Sequence, residues 1–117
     1  MSAEVQIYPD LNVVLSTEAR TSAPEPGLTR KLLAYNDKLS LISHHMKKGW
    51  VGTLHSHPHE QAVYVVNGHL EVSCAGKKFE VGAGDSFVVR GGVEHAARAI
   101  QDSLVVDVFT PLREDYL

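Results

Sequence analysis

Residues 49–68 read GWVGTLHSHPHEQAVYVVNG, and this stretch is the most informative part of the chain for predicting the architecture. His55 and His57 stand two positions apart, so on an extended segment their side chains leave the same face. Pro58 then bends the path, and a run rich in β-branched residues follows up to Asn67-Gly68. Asn-Gly is the strongest two-residue hairpin signal, which predicts that the strand before it pairs with the strand after it.

Short apolar segments separated by turn residues continue on both sides of this stretch, the pattern of an all-β sandwich or barrel. No segment of useful length has helical periodicity. We predict strands over residues 28–35, 39–46, 50–57, 61–66, 70–74, 79–81, 86–90, 95–100 and 104–109. About eight strands at this spacing would close a barrel with room for one small ligand. We expect residues 1–27, with Pro24 and Pro26, to form an extended arm, and residues 28–117 to form a single barrel domain.

Composition and charge exclude several classes of function. The chain has 117 residues, 44% of them apolar, which is enough to bury one core and too few for two. Its net charge is −3 with both signs interspersed, so no basic stripe exists for nucleic acid, and the single cysteine, Cys74, excludes an internal disulfide. No apolar run approaches the roughly 20 residues of a membrane helix, and residues 1–10 lack the pattern of a signal peptide. We therefore expect a cytoplasmic protein with neither a membrane nor a nucleic-acid partner.

Three histidines near strand ends suggest a metal site. His95 follows a glycine turn about forty residues after His57, and Gln61 begins the strand after the Pro58 bend. Imidazole is a ligand for Zn, Fe, Ni, Cu and Mn, and three such groups from different strands converge only inside a barrel or cleft. Alternatively, the histidines lie on the surface or are satisfied in the core, and the pair at His55 and His57 does not by itself decide between the two.

The spacing of two motifs is similar to that of the cupin superfamily. The intervals of the first cupin motif are met by Gly49, His55, His57, Gln61 and Gly68. Residues 84–95, GDSFVVRGGVEH, resemble the second motif, which ends on a third histidine. The resemblance implies an all-β cupin barrel of the RmlC-like jelly-roll type. It also implies a divalent metal ion, with Ni, Zn, Fe and Mn as candidates, held by His55, His57, Gln61 and His95.

One departure from the cupin motifs changes the chemistry. Gln61 stands where the motif usually has a glutamate, whereas Arg90 and Ala99 replace a proline and an asparagine and are expected to affect turn geometry only. Three neutral imidazoles and a neutral amide leave the charge of a divalent ion uncompensated, so the ion polarises a bound oxygen more strongly. The same neutrality gives little support to a trivalent ion. This ligand set therefore favours Lewis-acid chemistry over redox cycling.

A second group of candidate residues lies at the C-terminal strand. Val105, Asp107 and Phe109 share one face of it, but both faces are largely apolar, so periodicity alone leaves open whether Asp107 points inward. Residues 107–116, DVFTPLREDY, resemble the ending of the KdgF-type cupins of pectin and alginate breakdown. That resemblance places Asp107, Phe109 and Arg113 at the site. It implies an isomerase-like enzyme that linearises 4,5-unsaturated uronate monosaccharides from the ring form to an open-chain keto form.

The chemistry of such a substrate suggests a role for each of these residues. We expect Asp107 to act as general acid/base, Arg113 to pair with the carboxylate of the sugar acid or to orient Asp107, and Phe109 to provide a flat apolar wall for the sugar. Without the resemblance, Arg113 would be expected in a solvated tail and Phe109 in the core. Two other functions fit the same sequence: a metal-dependent dioxygenase of the cupin type, and a non-catalytic sugar-binding or sensor module. Small cupins of this kind commonly pair through N-terminal arms and outer sheets, so the resemblance also implies a homodimer, with the contact expected at the arm over residues 21–27 and the strand over residues 28–35.

The remaining histidines are expected outside the site. His44, His45 and His69 stand near strand ends or beside turns, which predicts surface positions. His59 is adjacent to the candidate ligands and could reach the site, but its place at the Pro58 bend favours a position facing solvent.

Overall fold

The architecture consists almost entirely of short antiparallel strands. The computed structural model describes residues 6–7 and 10–117. Its elements are β1 (Gln6–Ile7), β2 (Asn12–Val13), β3 (Arg20–Glu25), β4 (Leu28–Tyr35), β5 (Ser40–Met46), β6 (Glu60–Asn67), β7 (His69–Cys74), β8 (Lys77–Gly82), β9 (Ser86–Val89), β10 (His95–Ala99), β11 (Ser103–Thr110) and a 3₁₀-helix at Glu114–Tyr116. The expected all-β fold class is confirmed. Across the described residues, no helix is long and apolar enough to cross a membrane.

Two main sheets enclose the core. The larger has six strands in the order β3-β4-β5-β11-β6-β9, the smaller has three in the order β10-β7-β8, and β1 pairs separately with β2. Val65 of β6 and Val72 of β7 are almost wholly buried in one apolar cluster that draws on both main sheets. Burying a side chain of this kind contributes about 1.5–3 kcal/mol. On β11 the buried residues alternate, and the inward set includes Asp107 and Phe109. The inner face of β11 therefore carries a carboxylate into the barrel.

The turn at Asn67-Gly68 connects the two sheets, so the predicted hairpin is wrong. β6 pairs with β9 and β11, whereas β7 pairs with β8 and β10. Gly68 has φ +99°, and a Cβ at this position would collide with Oγ of Ser103. The glycine is needed because the chain crosses between sheets in close contact with the start of β11. The tight hairpin lies instead between β7 and β8, where the two turn residues, Ala75 and Gly76, have φ of 51° and 76°.

Residues 50–57, expected as a strand, form only isolated bridges, from Val51 to Arg98 and from His55 to His95. Gly52 lies under the ring of Trp50, which leaves no room for a Cβ, and its N–H donates to the carbonyl of Ala97 at 2.8 Å. The segment therefore runs beside β10 with irregular pairing. It still brings His55 next to His95, because the backbones of these two residues exchange hydrogen bonds of 3.0 and 2.9 Å.

Part of the expected N-terminal arm is an edge strand. β3 pairs with β4 on the outside of the six-stranded sheet, and all of its residues are exposed. An irregularity in register between Ser22 and Glu25 surrounds Pro24, which has no N–H to donate to a ladder. Within the arm expected over residues 1–27, this strand is therefore anchored to the sheet, while residues 1–5 and 8–9 lie outside the part of the chain that the structure describes.

Candidate functional site

Three imidazoles converge at one end of the barrel. His55 and His57 lie on the irregular segment before β6, and His95 is the first residue of β10. One ring nitrogen from each lies within 4.8 Å of the others. The structure thus brings together the three histidines that the two sequence motifs single out.

A glycine turn holds the loop that carries His57. The N–H of Gly92 donates to the carbonyl of His57 at 2.7 Å, and the N–H of Gly91 donates to Oε2 of Glu60 at 2.6 Å. A Cβ on Gly91 would collide with the carbonyl oxygen of Pro58, so the close approach requires glycine at 91. The turn before His95 therefore positions the loop after His57.

The tautomers of the three rings are set by backbone carbonyls. Each Nδ1 lies near a carbonyl two residues away: Thr53 for His55 at 2.8 Å, His59 for His57 at 3.0 Å, and Val93 for His95 at 2.9 Å. Because a carbonyl can only accept, each Nδ1 carries the proton, and each neutral ring presents a lone pair at Nε2. Nε2 of His95 is buried and has no hydrogen-bond partner among the described residues. Burial also lowers the pKa of His57 and of His95, which favours neutral rings.

Gln61 completes the donor set from the second position of β6. Its Nε2 donates to Oδ1 of Asp107 at 2.8 Å, which turns its Oε1 toward Nε2 of His57 at 3.0 Å. Two acceptors at this distance repel one another unless a cation or a proton lies between them, and the lowered pKa of His57 disfavours the proton. Three imidazole nitrogens and an amide oxygen therefore fit a divalent metal ion.

Asp107 lies inside the barrel and is held from two sides. Its side chain is 3% exposed, and its Oδ2 accepts from Nδ1 of His44 at 2.7 Å while its Oδ1 accepts from Gln61. Nε2 of His44 in turn accepts from Nε of Arg30 at 3.0 Å, which fixes the proton of His44 on Nδ1. Arg30, His44, Asp107 and Gln61 thus form one continuous hydrogen-bonded row.

The surface position expected for His44 is wrong. Its side chain is 12% exposed, because β5 alternates and His44 shares the inward face with Ile42 and Met46. His59 is also half-buried instead of facing solvent, and its Nε2 donates to the carbonyl of Leu112 at 3.1 Å. The period-two spacing of Ile42, His44 and Met46 is the sequence signal that could have identified His44 as inward.

The C-terminal segment packs against the same site. Arg113 is 7% exposed and forms a two-pronged ion pair with Asp115, at 2.9 and 2.7 Å, which holds the pKa of Asp115 at about 2. Its guanidinium carbon lies 4.7 Å from the ring centroid of Phe109 and 4.0 Å from that of Tyr116. Among the described residues no hydrogen bond joins Arg113 to Asp107. The residues that orient Asp107 are instead His44 and Gln61.

Phe109 is buried and supports a histidine. Its ring meets that of His57 edge-on, with centroids 5.6 Å apart. This contact restricts the orientation of the imidazole, as offset or edge-on aromatic pairs do.

The site opens into a cavity of about 250 Å³. One part of the wall is apolar and includes Leu28, Met46 and Phe87. The other part is polar and carries His55, Gln61, His95, Asp107, Arg30 and Arg113. A concave site that combines apolar walls with a few convergent polar groups is typical of small-molecule binding.

Comparison with known proteins gives the same architecture. The profile of the family described as Cupin domain matches residues 43–109. The sequence is similar to the pectin degradation protein KdgF of Dickeya dadantii (strain 3937), with 33% identity over 93 residues that cover 78% of this chain and 84% of that protein.

Two solved structures are similar over most of the chain. KdgF from Halomonas sp. superposes with a TM-score of 0.84 at 38% identity, covering 90% of this chain and 97% of that chain. An RmlC-like cupin from Shewanella frigidimarina NCIMB 400 superposes with a TM-score of 0.85 at 32% identity, covering 90% and 95%. These likenesses confirm the jelly-roll architecture expected from the two motifs.

Proposed function

The chain belongs to the cupin domain family, and on that basis we propose that it is a metal-dependent enzyme that linearises 4,5-unsaturated uronate monosaccharides. Its similarity to two KdgF proteins, one of them named a pectin degradation protein, supports the substrate class. The hydrogen bond between Gln61 and Asp107 carries the proposal, because it joins a donor set suited to a metal ion to a buried carboxylate in the wall of one cavity.

The metal would be held by Nε2 of three histidines and by the amide oxygen of Gln61: the histidines are His55, His57 and His95. A divalent ion bound there supplies a Lewis acid that withdraws electron density from a substrate oxygen. Ni, Zn, Fe and Mn all suit these donors. The protein's own contribution is to fix the tautomers and to keep the four donors uncharged.

The proposed reaction is an isomerisation, so it requires proton transfer without loss or gain of atoms. The anomeric hydroxyl gives up its proton, the bond between C1 and the ring oxygen breaks, and C1 becomes an aldehyde. The electron pair of the broken bond stays on the ring oxygen. This oxygen then forms the ketone at C5, while C4 of the former double bond takes up a proton. Asp107 lines the cavity and is the group that accepts the hydroxyl proton and returns it to C4.

Arg113 and Phe109 act in this account by holding the site. The ion pair between Arg113 and Asp115 fixes the C-terminal segment, and the guanidinium covers the ring of Phe109. Phe109 in turn packs edge-on against His57. Both residues also line the cavity, where they limit the position of the sugar.

The proposal can be tested by incubating metal-loaded protein with unsaturated galacturonate. The conjugated enoate absorbs in the ultraviolet and is lost on conversion to the keto form, so its absorbance reports the reaction. We expect the protein to accelerate the loss above the spontaneous rate, and a chelator to abolish the acceleration. A rate with metal-loaded protein equal to the spontaneous rate would contradict the proposal.

We further propose that the protein acts as a homodimer through the outer face of the six-stranded sheet. Tyr64 and Val66 of β6 and Val88 of β9 are exposed on strands at one edge of this sheet, and Val88 is 72% exposed. Exposed apolar groups on adjacent strands are typical of protein interfaces. The molar mass in solution by light scattering should be twice that of the chain, and Val88→Lys should lower it toward one chain.

A further inference from the structure

The positive charges that line the cavity are not equivalent. Among the described residues, two lining side chains carry a permanent positive charge, Arg30 and Arg113. Arg113 is already paired with Asp115, which occupies the Nε and Nη2 donors of its guanidinium. Within the described part of the chain, Arg30 has no carboxylate within salt-bridge distance. The carboxylate of Glu25, which also lines the cavity, accepts from the indole N–H of Trp50 at 2.6 Å. Arg30 is therefore, among the described lining residues, the arginine without an ion-pair partner.

Arg30 is also held in place. Its Nε donates to Nε2 of His44 at 3.0 Å, and its Cζ lies 3.7 Å from the centroid of the Tyr116 ring. Stacking on an aromatic face and one hydrogen bond fix the plane of the guanidinium. Its Nη groups have no partner among the described residues, so the two-pronged edge remains available for a ligand.

A carboxylate that leaves water for a partly apolar cavity needs a charged partner with good hydrogen-bond geometry. We propose that Arg30 binds the carboxylate of the sugar acid and is a specificity-determining residue of this site. The inference rests on the proposed function, since it assigns the group that recognises the acid. His44 joins Arg30 to Asp107 through two hydrogen bonds, so the acid-binding group and the proton-transferring group keep a fixed separation.

Steady-state kinetics of Arg30→Gln on unsaturated galacturonate test the assignment. Because a hydrogen-bonded charge contributes about 1.5–3 kcal/mol, we expect KM to rise about 10- to 100-fold. We expect kcat to change much less, because Gln can still donate to His44. Arg30→Lys keeps the charge without the two-pronged geometry and should give an intermediate KM. Arg20→Gln removes an exposed arginine of β3 and should leave KM unchanged.

The metal content and circular dichroism of each variant show whether it is folded, and Arg30→Lys carries the test if Arg30→Gln does not fold. An unchanged KM in both Arg30 variants, with a wild-type protein that turns over, would overturn this inference and leave the proposed function standing. A KM raised in Arg113→Gln but not in either Arg30 variant would place the substrate carboxylate at Arg113 and would also overturn the assignment to Arg30. A wild-type protein without turnover would overturn the proposed function and, with it, this assignment.

Discussion

The amide oxygen of Gln61 lies 3.0 Å from Nε2 of His57, and both atoms are hydrogen-bond acceptors. The amide cannot be reversed without loss, because its NH₂ group donates to Asp107 at 2.8 Å. A glutamate at 61 would place a second carboxylate against that of Asp107, with no donor between them. The glutamine in a position where cupins usually carry glutamate is therefore matched to the buried Asp107.

Gln61→Glu tests this relationship between the two side chains. At neutral pH the variant brings two carboxylates together in a buried site, and the donor to Asp107 is lost. We expect the free energy of unfolding of the metal-free protein, measured by urea titration with a chelator present, to fall by about 1–3 kcal/mol. The double variant Gln61→Glu/Asp107→Asn exchanges donor and acceptor and should recover most of the loss. A single variant as stable as the wild type would contradict the account.

His95→Ala tests the ligand assignment. The substitution removes a buried Nε2 that has no partner among the described residues and faces the other two imidazoles. We expect the metal content of the purified variant, measured by elemental analysis, to fall well below that of the wild type. His69→Ala is the matched control, because His69 pairs with Glu80 on the surface. This variant should keep the metal content of the wild type. Equal metal content in His95→Ala and the wild type would show that His95 is not a ligand.

His44→Ala tests the orientation of Asp107. Without the donor at 2.7 Å, one oxygen of a buried carboxylate has no hydrogen bond from the protein. We expect kcat to fall at least tenfold while metal content stays at the wild-type level, and His44→Gln, whose amide can donate, to recover part of the loss. His45→Ala changes the exposed neighbour on the same strand and should have no effect. A wild-type kcat in His44→Ala would remove His44 from the positioning of Asp107.

The sequence predicts the candidate metal ligands more completely than the residues that surround them in the cavity. The resemblance of two motifs to those of cupins implies the ligand set His55, His57, Gln61 and His95. The structure brings these side chains together because the motifs lie at the ends of strands that meet in the jelly roll. Asp107 could be placed at the site only through the resemblance of residues 107–116, because both faces of β11 are largely apolar and the pattern does not indicate which one is buried. Period-two spacing indicates that His44 faces inward, but its contacts with Arg30 and Asp107 depend on the register between β4, β5 and β11, which no local pattern specifies.

The Asn67-Gly68 turn illustrates the same limit for the fold. The dipeptide correctly indicates a sharp change of direction, with φ +99° at Gly68. Which strand receives the chain is decided by packing against Ser103, some thirty-five residues later in the sequence. Turn chemistry is local, whereas the choice between hairpin and sheet crossing is made by tertiary contacts.

The most direct test of the central claim compares wild type with Asp107→Asn at equal metal content. Both proteins are loaded with the same divalent metal, the bound metal is quantified, and the loss of enoate absorbance from unsaturated galacturonate is followed. General acid–base catalysis contributes about 10²- to 10⁴-fold, so we expect Asp107→Asn to lose at least 100-fold in kcat while retaining its metal. A variant that keeps the wild-type rate with the same metal content would contradict the account.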